Sequence, residues 1–583
     1  MHTTSLISCP PFHSYTIFLS LPLPCRRFAL HPPFAPPIAA MSTGIFLLWL
    51  VSIPLSIQAT SQPTGFILNC GASDNVEEGP LKYVPDDDYI SSGTKTTLNR
   101  TDILPRLQTL RFFPNANARK HCYTFPVLKE KKYLVKTVYF YGGFDGGNEP
   151  PVFDQIIDGT NWSAVNTTED YAAGGSSYYE AVVVARNKFL SVCLARNQHT
   201  PDGSSPFISS LEVYFLDDSV YNSTNFEKSM LASVARNTFG SEGDIISFPE
   251  DKFNRYWQPF KDGNPFVSSK SNVTTSVFWN NPPQNAFASA LTTSRGKNLT
   301  VNWPPYPLST GLYYIVLYFQ DNRQSSPYSW RIFDVYVNNA KFYGDLNATA
   351  DGQSVVGTEW PLSGTTEITL VPTHDTRVGP LINAGEIFQI LPVGGKTVTR
   401  DVMAIEELRK AIDSPPEDWA GDPCLPRETS WTGVSCSKNG PFRIHSLNLT
   451  GFGISGPLPE SLSNLTALKH LLLGDNKLSG TIPDLSALKS LEILHLENNQ
   501  LEGSIPSSLG ELPNIKELFL QNNKLSGEIP DSLKNKEGLN IRLAFLVKTS
   551  RGGDGGKDAV YEHVEGQRGE IAILPVWNEV MGN

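Results

Sequence analysis

Charge is sparse in this chain and is nowhere concentrated in one sign: 18% of the 583 residues are Asp, Glu, Lys or Arg, and the formal charge is −11. Phosphate binding needs clustered Lys and Arg, and the lack of such a run argues against a nucleic-acid partner. Metal-spaced Cys/His clusters are missing as well; the ten His are scattered, and neither H-E-x-x-H nor G-x-S-x-G occurs. Nothing calls for catalysis, a cofactor or a metal. The run "RGGDGGKD" is not a phosphate loop, since that pattern needs Gly where Arg551 stands and Ser or Thr where Asp558 stands. It reads as a flexible linker.

Long apolar runs are also scarce. From Met41 an apolar core, Ile45 to Ile57, is followed by Ala59 and Ser61, which suits signal-peptidase cleavage before Gln62. Residues 1–61 are expected to be an upstream extension plus a secretory signal; uncleaved, the apolar segment would be a short membrane anchor. At the other end only Leu543 to Val547 is apolar, far below the roughly 20 residues of a span, so no C-terminal membrane span is expected. Cysteine is rare too: Cys70, Cys122, Cys193, Cys424 and Cys436 follow the cleavage point, an odd number that leaves one as a buried free thiol. N-x-[ST] sequons at Asn99, Asn161, Asn166, Asn222, Asn272, Asn298, Asn347, Asn448 and Asn464 support export and glycosylation.

What the chain does contain is turn and strand formers: 45 Gly, 44 Pro and 11% aromatics bias it towards β structure. Its length exceeds what one core sustains, so it divides into domains. The clearest is a repeat. "LTALKHLLLGDNKLSGTIP" starts at Leu465, "LKSLEILHLENNQLEGSIP" at Leu488 and "LPNIKELFLQNNKLSGEIP" at Leu512, with a looser copy from Ile444. The L-x-x-L-x-L-x-x-N-x-L-x-G-x-I-P pattern predicts a leucine-rich solenoid of four units over 441–540, one short strand and a turn per unit, laddered by Asn476, Asn499 and Asn523. Its trailing G-x-I-P resembles the plant-specific subclass. Upstream, "DWAGDPCLPRETSWTGVSC" resembles the N-terminal cap of plant leucine-rich-repeat receptors, and the resemblance implies a Cys424–Cys436 disulfide around Trp431. The cap region, 399–440, opens with "TRDVMAIEELRKAI", which places Val402, Ile405, Leu408 and Ile412 on one helical face.

Residues 64–393 carry a fainter duplication. "LVKTVYFYGG" then "PVFDQIIDG" echoes "YIVLYFQDN" then "RIFDVYVNN", and each copy closes on P-x-I-x-x-x-E, at Glu212 and at Glu386. Two β lobes follow, 64–218 and 241–393, with 219–240 as a linker. Alternation of Val135, Thr137, Tyr139 and Tyr141 against Leu134, Val138 and Phe140 predicts two-faced strands of a sandwich or jelly roll. "FILNCGA", "LRFFPNANARKHCYTFPV", "PPVFDQIIDGTNW" and "PFISSLEVYFL" resemble the plant malectin-like domain, a tandem of two malectin lobes. Joined to the cap and repeats, over roughly residues 64–540, the chain is similar to plant receptor-like proteins carrying that domain plus leucine-rich repeats. The fold implied is mainly β: two jelly-roll-like sandwich lobes and a short solenoid.

The resemblance implies a non-catalytic recognition protein of the secretory pathway, extracellular or associated with the wall or plasma membrane. Its ligand would be a glycan or a secreted peptide, its partner a receptor kinase; the alternative is a soluble wall glycan-binding protein or decoy. Candidate lobe contacts are Tyr141, Phe144 and Asp145, matched by Tyr318, Gln320 and Asp321; the competing reading packs these aromatics in the core. On the solenoid, strand positions between the inward leucines face the concave side: His470, Leu472 and Gly474; Ile493, His495 and Glu497; Glu517, Phe519 and Gln521. Leu472, Ile493 and Phe519 are expected to form an apolar stripe, against ordinary scattered surface. The tail, 541–583, is expected to be divergent and disordered, leaving the last repeat partly uncovered.

Overall fold

The computed structural model describes residues 63–147, 149–268, 275, 278–321, 323, 330–373, 376–548, 559–567 and 570–576. From residue 544 onward the description is of backbone only. The expected signal segment, the sequon at Asn272 and the linker from Arg551 to Asp558 lie outside the described residues.

One 11-stranded sheet runs through both lobes. Lobe one contributes Gly65–Asn69, Ser210–Leu216, Lys132–Tyr139 and Ser177–Val184; lobe two contributes Ala384–Pro392, Leu308–Phe319 and Gln353–Gly364. Between them lies Ser229–Phe239, pairing antiparallel with Ser177–Val184 on one side and Ala384–Pro392 on the other. The expected linker over 219–240 is corrected here: its second half is a strand. Alternating side chains explain why, since Met230 enters the core of lobe one, Leu231 the opposite face of the sheet, and Phe239 the core of lobe two.

Each lobe closes as a sandwich under a four-stranded outer sheet. In lobe one this is His121–Pro126, Phe189–Arg196, Phe153–Ile157 and Thr160–Val165; in lobe two it is Leu299–Asn302, Glu367–Pro372, Ile332–Val337 and Ala340–Asn347. The duplicated segments occupy matching places. "PVFDQIIDG" ends in a two-residue turn, Asp158 (φ 45°) and Gly159 (φ 79°), and "RIFDVYVNN" in Asn338 (φ 49°) and Asn339 (φ 62°). Positive φ at both residues suits the right-handed twist of a hairpin, and Asp, Gly and Asn tolerate it. Lys132–Tyr139 departs from a half-exposed strand, because every residue of it is buried. Its second face is covered by a core shared between the lobes, which includes Leu134, Tyr214, Leu231, Trp257, Tyr314, Tyr318 and Phe388.

That shared face carries buried charge. Glu212 meets Lys136 at 3.1 Å and Glu386 meets Arg236 at 2.9 Å, all with side chains 0–1% exposed. The segment Asp251–Trp257 lies across them: Asn254 Nδ2 donates to Glu212 at 3.0 Å, Tyr256 N–H to Glu180 at 3.3 Å, and Arg255 Nη1 to the Tyr221 hydroxyl at 3.2 Å. Burial alone would raise both glutamates, but Lys136 at Glu212, and Arg236 with Arg255 at Glu386, outweigh it and hold them below the usual carboxylate range. The closing Glu of each P-x-I-x-x-x-E is thus an internal tether of the lobe junction.

The solenoid starts from helix Thr399–Ala411, whose Ala404, Ile405 and Leu408 are buried. Asp401, on the same helix and also buried, accepts from Arg443 Nε and the Ile444 N–H at 2.9 Å each, tying the helix to the first repeat. Cys424 and Cys436 are bridged, and Trp431 stacks on Trp419 with ring centroids 5.2 Å apart. Parallel strands Ile444–Asn448, His470–Leu472, Ile493–His495 and Glu517–Phe519 follow, with a second sheet from Ser455–Pro457, Lys477–Thr481, Gln500–Gly503 and Lys524–Leu525. Two strands per unit therefore replace the one expected. The sheet continues into the expected tail: Asn540–Lys548 pairs parallel with Glu517–Phe519, then Ala559–Gln567 and Glu570–Val576 add antiparallel. This corrects the expectation of disorder for those strands. Buried Ile541 and Leu543 repeat the inward alternation of Leu518 and Leu520, so the last repeat is covered.

Lobe one docks on the solenoid cap. Cys122 and Cys193, directly opposite on neighbouring strands, form a disulfide, leaving Cys70 as the buried free thiol. A Cβ on Gly421 (φ 71°) would come within 3.1–3.2 Å of both sulfurs. Buried Lys120 donates to the carbonyls of Asp422 and Leu425 at 2.7 and 2.8 Å, and Arg119 N–H to Asp418 at 3.2 Å.

Candidate functional site

The lobe candidates sit where the packing reading puts them. Tyr141 is 1% exposed, edge-on to Phe144 and Tyr171, and its hydroxyl donates to Asp145. Burial, followed by Asp145, pushes that phenol well above its usual value. Asp145 also accepts from the Gly147 N–H at 3.0 Å and Ser204 Oγ at 2.9 Å, so it organises the loop while remaining exposed. In lobe two, Tyr318 is fully buried, its hydroxyl 2.7 Å from Glu386 and 3.0 Å from the Trp279 carbonyl. Gln320 N–H donates to Asn383 and its Nε2 to the Ala350 carbonyl; Asp321 pairs with Arg331 at 2.8 Å and with Arg323. As stacking platforms Tyr141 and Tyr318 are therefore corrected: neither offers a ring face to solvent. Phe144 and Asp145 remain at the surface. A cavity of about 10 Å³ between Asp158, Arg186 and Met230 is far smaller than the roughly 300 Å³ that a small-molecule site needs.

The solenoid presents a different geometry. Its strands are in register so that Leu472, His495, Phe519 and Arg542 form one row, and His470, Ile493, Glu517 and Asn540 the next. The stripe expected from Leu472, Ile493 and Phe519 is corrected, because Ile493 falls in the neighbouring row and His495 takes its place. The reason is the unit length: 23 residues separate Leu472 from His495, and 24 separate His495 from Phe519.

Within the row, the His495 ring stacks on Phe519 with centroids 4.3 Å apart and planes 11° from parallel. The Arg542 guanidinium lies 4.8 Å from the Phe519 centroid, and His495 Nε2 is 3.1 Å from Glu517 Oε2. All these side chains are partly exposed. Alternate residues Leu471, Leu494 and Leu518 are buried, which forces the intervening positions outwards. A half-exposed aromatic with stacked planar neighbours is suited to gripping a protein segment rather than to transforming it. Arg542 was missed because it lies in the segment read as tail; the signal was the alternation of Ile541 and Leu543. Asn448 pairs with Leu472 and so ends the same row. Every described sequon asparagine is exposed.

The malectin-like domain model matches residues 68–390, and the leucine-rich-repeat model matches 490–512 and 514–536. The chain belongs to the malectin-like, leucine-rich-repeat family of plant receptor-like proteins. A probable LRR receptor-like serine/threonine-protein kinase of Arabidopsis thaliana is 30% identical to it over 470 residues, covering 76% of this chain and 49% of the kinase. A probable LRR receptor-like protein kinase of the same plant is 31% identical over 447 residues, 73% and 49% respectively. The chain spans about half the length of these curated relatives. The ANXUR2 extracellular domain from Arabidopsis thaliana, as a crystal structure, is 16% identical with a TM-score of 0.47, over 56% of this chain and 96% of that one. A chain from a crystal structure of plant peptide RALF23 in complex with FER and LLG2 is 20% identical with a TM-score of 0.46, over 57% and 96%.

Among the described residues, no group of three or more His, Cys, Asp or Glu is placed to hold a metal ion, and no helix is long and apolar enough to cross a membrane. The malectin-like lobes and the repeats meet at the Cys122–Cys193 disulfide and the cap.

Proposed function

We propose that this chain is a non-catalytic, extracellular recognition unit of a receptor-like protein, and that the concave sheet of its repeats binds a protein or peptide partner. The observation that carries the reading is the row Leu472, His495, Phe519 and Arg542, with its stacked, half-exposed centre. Export and glycosylation are supported by the exposure of the described sequon asparagines. The malectin-like lobes add a second surface, at Phe144 and Asp145, for a secreted peptide or glycan, and a receptor kinase is the expected signalling partner. Carrying both surfaces on one chain raises the effective concentration of a second contact once the first is made.

The test is binding of an array of short synthetic peptides and cell-wall oligosaccharides to the glycosylated, secreted chain. Substituting Phe519→Ala with His495→Ala is expected to lower peptide binding by about tenfold or more, as removal of a central aromatic does. Unchanged peptide binding removes the concave sheet from the reading. Oligosaccharide binding lost on Asp145→Ala assigns the sugar surface to lobe one; retention there removes that assignment.

A further inference from the structure

We infer that the partner on the concave sheet is an extended peptide bearing an arginine or lysine side chain, held between Glu497 and Gln521. This rests on the reading of that sheet as the partner surface and names the chemistry it selects. Glu497 follows His495 by two residues, and Gln521 follows Phe519 by two, so both share the outward face with the stacked pair. The carbonyl of Gln521 accepts from the Asn498 N–H, which keeps the two strands adjacent at these positions.

Glu497 Oε2 and Gln521 Oε1 are buried from solvent, and among the described residues no donor reaches either. Buried acceptors without donors are costly, and two side by side on a surface otherwise built for contact point to a donor that arrives with the partner. The neighbouring carboxylate, Glu517, already meets His495, whereas Glu497 has no ion-pair partner among the described residues. A donor that carries positive charge satisfies both oxygens and neutralises the carboxylate; arginine and lysine side chains do this, and charge-assisted bonds are the stronger kind.

Two further features fit that occupant. A Cβ on Gly474 would lie 2.6 Å from Glu497 Oε1, so the carboxylate extends over a position that any larger residue would obstruct. Beside it, the His495 and Phe519 rings give an aromatic wall against which the aliphatic stem of a basic side chain can pack. Leu472, in the same row, suits an apolar neighbour on the peptide, and a glycan on Asn448 would bound the site on that side.

The experiment probes a random array of short synthetic peptides with the full glycosylated chain, its Glu497→Gln/Gln521→Leu variant and its Phe519→Ala variant. Arg or Lys is expected at a defined position of the retained peptides. Replacing that residue by citrulline, or using the Glu497→Gln/Gln521→Leu variant, is expected to weaken binding about tenfold or more. The single Glu497→Gln variant, nearly isosteric, guards against a folding defect and should show the charge-dependent part of the loss. Retained peptides with no basic preference, still dependent on Phe519, overturn this inference and leave the concave-sheet reading standing. Retention that is indifferent to Phe519, or no retention at all, overturns both.

Discussion

Arg236 joins Glu386 across the boundary between the two lobes, Nε to Oε2 at 2.9 Å, and it reaches Glu180 of lobe one with its Nη1. All three side chains are 0–1% exposed. A buried ion pair is weak evidence of net stabilisation, but removing one member leaves an uncompensated charge. Arg236→Ala or Glu386→Ala is therefore expected to cost about 3–5 kcal/mol, seen as a lowered denaturant midpoint. A midpoint within error of the parent would show that the tether does not hold the junction.

The ladder asparagine Asn499 accepts from the Leu478 N–H at 2.9 Å and donates to the carbonyls of Leu473, Leu496 and Glu497 at 3.0–3.1 Å. Asn499→Ala strands backbone groups inside the solenoid and is expected to cost about 2–4 kcal/mol. Hydrogen exchange should quicken at Leu478 and its neighbours while the lobes keep their protection. Uniform exchange throughout would refute local action.

Gly421 touches the Cys122–Cys193 disulfide from the cap side, with φ at 71°. Gly421→Ala meets both a strained backbone and the sulfurs, and about 1–3 kcal/mol of destabilisation is expected. The informative readout is limited proteolysis between 393 and 430, which should become faster than in the parent. An unaltered digestion pattern would argue that the seam tolerates the added methyl.

Asp158 sits at the same seam, accepting from the Ser191 N–H at 2.8 Å. Burial pushes its carboxyl up to about 6, against the lowering influence of the Ser191 N–H and Arg186. With a folded value above the unfolded one, the native state binds the extra proton between roughly pH 4 and 6, so this group's contribution to stability is present at low pH and lost as pH rises through about 6. Asp158→Asn should remove that dependence and gain on the order of 1 kcal/mol at pH 7 relative to pH 4. Parallel pH profiles for the two proteins would contradict it.

The repeats and their cap were legible because each unit carries its own signal: leucines at fixed offsets, an asparagine that serves the local backbone, a cysteine pair 12 residues apart around a tryptophan. The duplicated hairpins of the lobes were legible for the same reason. The lobe contacts were not. Tyr141 and Tyr318 are aromatics on strands, and whether such a ring faces ligand or core depends on what covers the second face of the sheet. For Tyr318 that cover comes from Trp257 and the core shared with the other lobe, and for Tyr141 from Phe144 together with Tyr171 and Phe207, brought in from other segments of the chain. Glu212 and Glu386 were visible as an echo, but their partners, Lys136 and Arg236, are chosen by strand order.

Local pattern alone thus determined the solenoid and the β character of the lobes, since these depend on periodicity and on turn chemistry within a few residues. Tertiary structure decided the rest. It turned an expected linker into the strand that fuses two sheets and carried the solenoid one strand past its last recognisable repeat. Each of these is set by pairing between segments, and backbone hydrogen bonds across strands carry no mark in either sequence until the strands are aligned.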